Sequence, residues 1–359
     1  LTEDALRFVG AVTFSALASE PARTSLHEGG ETIPHTRLGQ SADLIVIAPA
    51  TANILAKQAA GIADDLLTAT LLATRAPVLV APAMHTEMWE HPAIQQNVAT
   101  LASRGVHIVE PEAGRLAGGD SGKGRLASPD SIVAAVHRVL GPKDLAGVKV
   151  VVSAGGTREP IDSVRVIANR SSGKQGYAVA AEAASRGADV TLISTVELAV
   201  PAGVRVVNVE TAAQMQAAIA AVWATSDVMV MSAAVADFRP VSCATQKIKK
   251  DGGIPQIVLE ATPDILAGLG ASKRPDQVLV GFAAETSDLV ANAQSKLERK
   301  NLDLIVANDV SQPGVGFAHD TNAVTFLRPS QALESVSLTD KRAVARALLD
   351  IVVQIRANQ

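Results

Sequence analysis

The chain has 359 residues, 48% hydrophobic, 19% charged and 3% aromatic, and its 36 acidic against 32 basic side chains leave a net charge of -4. That length exceeds the roughly 100 to 200 residues of a single core and predicts two domains, while no apolar run reaches the roughly 18 to 20 residues needed to span a bilayer. With no basic stripe and few rings to stack on bases, nucleic acid is excluded as a general partner; small anionic ligands bound locally are not. The single cysteine, Cys243, excludes an internal disulfide or a zinc cluster, and nothing resembles a signal peptide, so a cytoplasmic location is expected.

In chain order, Leu1 rather than a methionine opens the sequence, and TEDALRFVG reads as a helix start capped by Thr2. The expectation is that a first strand and its glycine turn precede Leu1. Three apolar runs follow, ADLIVIAPA (42–50), APVLVAPAM (76–84) and VHIVEP (106–111), alternating with helical stretches at 52–60, 64–74, 92–104 and 130–140. Short runs without a period of two suit parallel strands buried on both faces. Two of them end in Pro-Ala turns, PATAN (49–53) and PAMHTEMW (82–89), which brings Asn53 and Met84 to one crevice at the strand ends. His35 lies in the polar stretch IPHTRLGQ, a few residues before the first run.

GPKDLAG (141–147) carries turn chemistry at both ends and predicts the boundary between domains 1–141 and 148–359. Beyond it, strands are expected at 148–154, 189–195, 204–209, 227–233, 277–283 and 303–307, and helices at 173–186, 211–224, 263–270, 287–300 and 341–356. Strands alternating with helices imply right-handed crossovers, so the fold class is α/β with two doubly wound domains.

Gly155 and Gly156, then Ser171, Ser172, Gly173, Lys174 and Gly176, bracket a helix start, where free N–H groups and the helix dipole favour an anion. Two ordinary glycine turns give the same spacing. A Walker A loop is excluded because Ala168 stands five before Gly173 and Gln175 follows Lys174, and GGTREP is not a dinucleotide fingerprint. The KIKK run, Lys247 to Lys250, follows Asp237 by ten residues, so cations and a carboxylate can meet a polyphosphate and its metal there; alone, such a run is a solvated face. Lys296 and Lys300 are four apart on one predicted helix face.

The motifs SAGGTREPID, VIANRSSGKQGYA, AAVADFRP, KIKK, ATPDIL, GFAAET and NLDLIVANDV, in order over most of residues 148–310, closely resemble the phosphopantothenate-cysteine ligase domain of coenzyme A biosynthesis, a Rossmann-like fold. The resemblance implies attack of the phosphopantothenate carboxylate on the α-phosphorus of CTP, with Mg²⁺, to give an acyl cytidylate and pyrophosphate. Cysteine then displaces CMP. It further implies Asn169 as the residue handling the acyl intermediate, Lys247 as the lysine of the activation step, and Asp237 as the metal carboxylate. CTP contacts would come from Ser232, Ala233, Asp237, Lys247, Pro263, Asp264, Ile265, Leu266, Phe282, Lys296 and Lys300. Taken alone, Asp264 is a first-turn dipole carboxylate and Phe282 a core side chain.

His35, PATAN and PAMHTEMW, over roughly residues 5–135, are similar to the flavin-dependent phosphopantothenoylcysteine decarboxylase domain that bacteria fuse to the ligase, which implies a flavodoxin-like domain holding FMN. In that family the substrate thiol is oxidised to a thioaldehyde, CO₂ leaves, and the enethiolate is protonated and reduced. His35 would be the base or electrostatic partner and Asn53 would hold the substrate carboxylate and the flavin edge. Two departures stand out: the family's PAMN reads PAMH here, placing His85 at the asparagine, and the flap RLAGGDSGKGR carries Gly118 where the family has a proton-donating cysteine. Another donor, His85 or a bound water, would have to serve. The resemblance implies a homo-oligomer with dimeric ligase and trimeric decarboxylase contacts. The alternative is a ligase with a catalytically inactive flavin-fold assembly domain.

Overall fold

The computed structural model describes residues 1–26, 32–249, 256–285, 288–309, 316 and 319–359. Lys250 and Thr286, in the KIKK and GFAAET motifs, lie outside them. The chain divides into two compact units, Leu1–Gly141 and Pro142–Gln359. No helix among the described residues is long and apolar enough to cross a membrane.

The first unit opens with a 3₁₀ turn, Ala5–Arg7, then α1 (Ala11–Leu17), α2 (Pro34–Ser41), β1 (Ile45–Ala50), α3 (Ala52–Ala60), α4 (Leu66–Ala73), β2 (Val78–Pro82), α5 (Thr86–Glu90), α6 (Pro92–Ser103), β3 (His107–Ile108), β4 (Glu112–Arg115), β5 (Ser121–Arg125) and α7 (Pro129–Leu140). The helix expected after Thr2 is only that 3₁₀ turn, and its N-cap is Asp4 rather than Thr2, whose hydroxyl accepts from Ala5 N at 3.2 Å. Three parallel strands form the sheet, in the order β1-β2-β3. Val78 and Val80 pack with Ile54, Leu55 and Leu101 on one face, and Leu79 and Ala81 with Ala127 and Ala135 on the other. Burial on both faces is why the run APVLVAPAM shows no alternation. β4 and β5 pair as an antiparallel hairpin, a structure not anticipated for the segment read as a flap.

The second unit contains β6 (Lys149–Ala154), β7 (Arg158–Pro160), β8 (Val166–Ala168), α8 (Lys174–Ser185), β9 (Asp189–Ser194), β10 (Val204–Asn208), α9 (Ala212–Trp223), β11 (Val228–Met231), β12 (Phe238–Pro240), β13 (Leu259–Ala261), α10 (Ile265–Ser272), β14 (Val278–Glu285), α11 (Leu289–Arg299), β15 (Leu304–Asp309), β16 (Thr321–Leu327), β17 (Glu334–Asp340) and α12 (Lys341–Ala357). Its eight-stranded sheet runs β10-β9-β6-β11-β14-β15-β16-β17. The first six strands are parallel, and β16 and β17 extend the sheet antiparallel, an addition absent from the expected elements. Val150, Val152, Val228, Val230 and Val280 pack under α8 and α12 (Tyr177, Ala180, Leu348, Val352). Val151, Met229 and Leu279 pack under α9 and α11 (Met215, Ile219, Leu297).

Chain order reverses between β6 and β11: β9 and β10 add on one side of β6, and β11 returns to the other. Loops leaving this switch point open a crevice at the C-terminal strand ends. Arg186, 2% exposed, closes α8 with its guanidinium on Asp144 (2.8 and 2.5 Å) and on Asp350 of α12 (2.6 Å). Asp350 is 54% exposed, so Arg186→Met should cost about 2 kcal/mol of unfolding free energy, below the roughly 3 to 5 for a fully buried pair. Urea unfolding checks this; a loss under about 0.5 kcal/mol would show that the clamp contributes no more than a surface pair.

Candidate functional sites

At the switch point of the second unit, the loops after β6 and β11 are laced together. Ala233 N donates to Ser153 Oγ (3.1 Å), Ala234 N to Gly155 O (2.8 Å), Thr157 N to Ala234 O (3.2 Å) and Ala236 N to Thr157 Oγ1 (2.9 Å). Gly155 has φ +88° and Gly173 φ +76°, left-handed conformations that glycine adopts without strain. Gly173 is the N-cap of α8 and has no side chain to cap it, so the first-turn N–H groups stay available to a ligand.

A pocket lies at this helix terminus. Its walls are Ser171 to Gly176, Ser232 to Ala234, Phe282, Ala284, Asn308, Gly316, Asn322 and Lys341. Lys341, only 7% exposed, is the first residue of α12, and its Nζ donates to Gly316 O at 3.3 Å. Burial, then the neighbouring Lys174 charge, pushes its pKa below the ordinary lysine value. Lys174 itself bonds Asp320 Oδ1 at 2.6 Å. Asn322 Oδ1 and Gln175 Oε1 are buried with no hydrogen-bond partner. A desolvated ammonium facing an uncapped helix N-terminus and two serines is the donor set of an anion site.

Of the residues expected to contact nucleotide, Ser232, Ala233 and Phe282 line this pocket, together with the glycine-serine loop at 171–174. Asp237 is exposed, and its carbonyl accepts from Thr262 N at 2.9 Å, which sets it beside the Pro263 to Leu266 segment. Asp264 caps α10, accepting from Ala267 N at 3.0 Å, so its local role is a cap rather than a first-turn charge. Lys300 pairs with it at 2.8 Å. Lys300 is the C-cap of α11, one turn beyond Lys296, whose carbonyl accepts from Lys300 N at 3.1 Å. Ile265 is buried in the core, with Leu266 packed against the same cluster. Among the described residues, Asp237 belongs to no cluster of three or more His, Cys, Asp or Glu ligand atoms.

Lys247 is exposed, and its neighbour Ile248 is firmly held. The buried Asp162 carboxylate accepts from Ile248 N (3.1 Å), Val164 N (2.9 Å), Arg165 N (2.8 Å) and the Arg165 guanidinium, which also donates to Ile248 O (3.1 Å). The guanidinium first, and then the backbone donors, holds this carboxyl far below the usual range. Asn169, just past β8, is exposed, and its Nδ2 donates to Ala234 O (3.3 Å) and Val235 O (3.2 Å). The donor end of that amide is thus engaged by two backbone carbonyls, and Oδ1 is the atom left to a ligand.

Asn308, Asn322, Lys341 and the Asp162–Arg165 anchor were not singled out from sequence. A signal existed for Lys341: a cation in the first turn of a helix opposes the helix dipole, so LTDKRA is locally unfavourable and asks for a compensating reason.

In the first unit, His35 and the polar stretch around it form α2, which Pro34 starts. Its Nδ1 is buried without a partner. Asn53 is exposed in the first turn of α3, whose N-cap Thr51 makes no side-chain cap bond. Met84 N donates to Gly124 O at 2.9 Å, which ties the hairpin to the end of β2. His85 is the N-cap of α5; its Nδ1 bonds Glu87 and its Nε2 meets Asp120 Oδ1 of the hairpin turn at 3.1 Å. These carboxylates, Glu87 first and Asp120 next, raise its pKa above the ordinary histidine value.

Residues 1–141 match the Flavoprotein family and residues 145–355 the DNA/pantothenate metabolism flavoprotein C-terminal domain. The coenzyme A biosynthesis bifunctional protein CoaBC of Mycobacterium bovis is 51% identical over 374 residues, covering 99% of this chain and 89% of that protein. Its namesake from Bacillus subtilis is 47% identical over 333 residues, covering 91% and 82%. A crystal structure of a CoaBC C-terminal domain aligns with 60% of this chain and 100% of its own at 38% identity and a TM-score of 0.52. Similarity to two-activity proteins across both units does not favour the ligase-only alternative. The chain belongs to the family of bifunctional coenzyme A biosynthesis proteins and is an enzyme of that pathway.

Proposed function

We propose that the second unit joins 4'-phosphopantothenate to cysteine at the expense of CTP, and that the first unit decarboxylates the product to 4'-phosphopantetheine. The observation that carries the ligase half is the anion pocket at the α8 N-terminus, with the buried ammonium of Lys341 facing uncapped N–H groups. A carboxylate becomes an acyl donor only when its oxygen is turned into a good leaving group, and phosphate-directed cations stabilise the charge that develops. Lys341, Lys174 and the first-turn N–H groups would hold the triphosphate. Ser232, Ala233 and Phe282 flank it, and Lys247 assists activation from the segment anchored at Ile248. Asp237, a lone exposed carboxylate, fits Mg²⁺, an ion that keeps its own waters and substrate phosphate oxygens.

Asn169 Oδ1 accepts from the incoming amine of cysteine while its Nδ2 holds the Ala234–Val235 loop. In the first unit the Nδ1 of His35 and the hydroxyl of Thr86 are each buried without a hydrogen-bond partner and α3 starts without a side-chain cap, and FMN carries polar atoms that would satisfy groups of this kind. Bound there, FMN would supply the reversible thiol oxidation that side chains cannot perform. His35 and Asn53 bind and orient the substrate carboxylate. The protein works in the cytoplasm on small molecules, without nucleic acid or membrane, and assembles as a homo-oligomer.

Pyrophosphate release should require CTP and phosphopantothenate together, and CO₂ release should require the amide product. Pyrophosphate formed from CTP alone would sink the ligase reading. Asp162→Ala removes the anchor of Ile248 and should slow pyrophosphate release by roughly 10- to 100-fold through misplacement of Lys247. A parental rate would detach Lys247 from activation. The folded carboxyl of Asp162 has a depressed pKa, so its stabilising contribution is fully present above the unfolded value of about 3.9 and is lost only as pH falls through the folded one. The anchor therefore holds throughout the neutral range.

A further inference from the structure

Decarboxylation exchanges CO₂ for a proton, so the carbon that loses its carboxylate needs an acid within reach. The chain's single cysteine, Cys243, sits in the second unit. Around the hairpin of the first unit, one group has the right chemistry. His85 caps α5 at the end of β2, with its two ring nitrogens on Glu87 and, at 3.1 Å, on Asp120 of the hairpin turn. A side chain at position 118 would begin 3.2 Å from His85 Nε2 and 3.1 Å from Asp120 Oδ1. Because Gly118 has none, a ligand atom in that space would be in hydrogen-bond contact with Nε2.

We propose that His85 is the proton donor of the decarboxylation, delivering its Nε2 proton to the substrate carbon in the space left open by Gly118. This rests on the decarboxylase reading of the first unit. The bond from that carbon to the carboxylate breaks, CO₂ departs, and the electron pair stays on the substrate. A carbon–hydrogen bond then forms with the Nε2 proton, leaving a neutral imidazole for solvent to recharge. No net oxidation accompanies this exchange, so FMN, when bound, would have to give back to the substrate any electrons it takes up.

The surroundings favour the imidazolium. Glu87 faces the ring from its own helix and Asp120 from the hairpin, while the nearby cation Lys123 of β5 is held by Glu110 at 2.7 Å and lies over Trp89 at 5.8 Å. The pKa of His85 is raised accordingly, which keeps the acid form populated near neutrality. The ring and its two carboxylates are the site.

The test uses the full-length flavin-loaded protein with phosphopantothenoylcysteine, measuring CO₂ and phosphopantetheine separately. His85→Gln should release CO₂ in a single turnover while phosphopantetheine forms roughly 100-fold more slowly. In the parent, product formation should fall as pH rises through the raised His85 value. In Asp120→Asn that fall should move to lower pH, and ring-proton NMR of His85 should report the same displacement without any turnover. The backbone at Gly118 is not left-handed, so a side chain is admissible there, and His85→Gln with Gly118→Cys should recover product formation through the thiol. Phosphopantetheine made by His85→Gln at the parental rate, with an unchanged pH profile, would overturn the donor assignment alone. A flavin-loaded parent that releases no CO₂ would overturn the decarboxylase reading, and the proposal with it.

Discussion

Asn169→Ala should release one equivalent of pyrophosphate per site when given CTP and phosphopantothenate, and then stall, with cysteine-dependent CMP release slowed by roughly 100-fold. The Nδ2 bonds to Ala234 and Val235 hold one wall of the pocket, and Oδ1 is the free acceptor for the attacking amine. Asn169→Asp separates the two roles, because it keeps an acceptor and loses the donors. If orientation of cysteine dominates, the aspartate variant should keep most of the CMP release. If the loop lacing dominates, it should fail like alanine and also raise the KM for CTP. Unchanged amide formation in the alanine variant would remove Asn169 from the mechanism.

Lys341→Met should act in opposite directions on stability and on nucleotide. In the ligand-free protein an ammonium buried with no carboxylate in ion-pair contact among the described residues, and only the more distant charge of Asp320 to offset burial, is costly, so the near-isosteric apolar side chain should raise Tm. A charge-assisted contact to the triphosphate is worth about 2 kcal/mol, and its loss should raise the KM for CTP by about 30-fold. The sign with pH follows from the folded pKa lying below the unfolded lysine value of about 10.4: the cost is full at neutrality and fades as pH rises through the folded value. The Tm advantage of the methionine variant should therefore narrow as pH rises toward the unfolded lysine value. Equal CTP affinity in parent and variant would place the triphosphate elsewhere.

Legibility differed between elements for physical reasons. The helix at 52–60 and the strands at 149–154 and 228–231 follow from periodicity and turn chemistry carried within each segment. β17, with most of its residues exposed, lacks an apolar signature and is a strand because β16 offers it an edge to pair with. His85 and Gly118 were both conspicuous as residues, yet their separation of a few ångströms depends on the hairpin folding back onto the end of β2.

The α/β alternation, the turn chemistry near residue 141 and the small, polar loops at the ends of β6 and β11 are written locally, because glycine, serine and proline act on the backbone where they stand. The composition of the anion pocket, by contrast, arises from contacts distant in sequence. Asn308 comes from the last parallel strand, β15, whereas Asn322 and Lys341 come from β16 and α12 and reach the α8 N-terminus through the antiparallel extension of the sheet. Pairing across more than a hundred residues is set by which edges and faces must be buried together, and no local pattern records it.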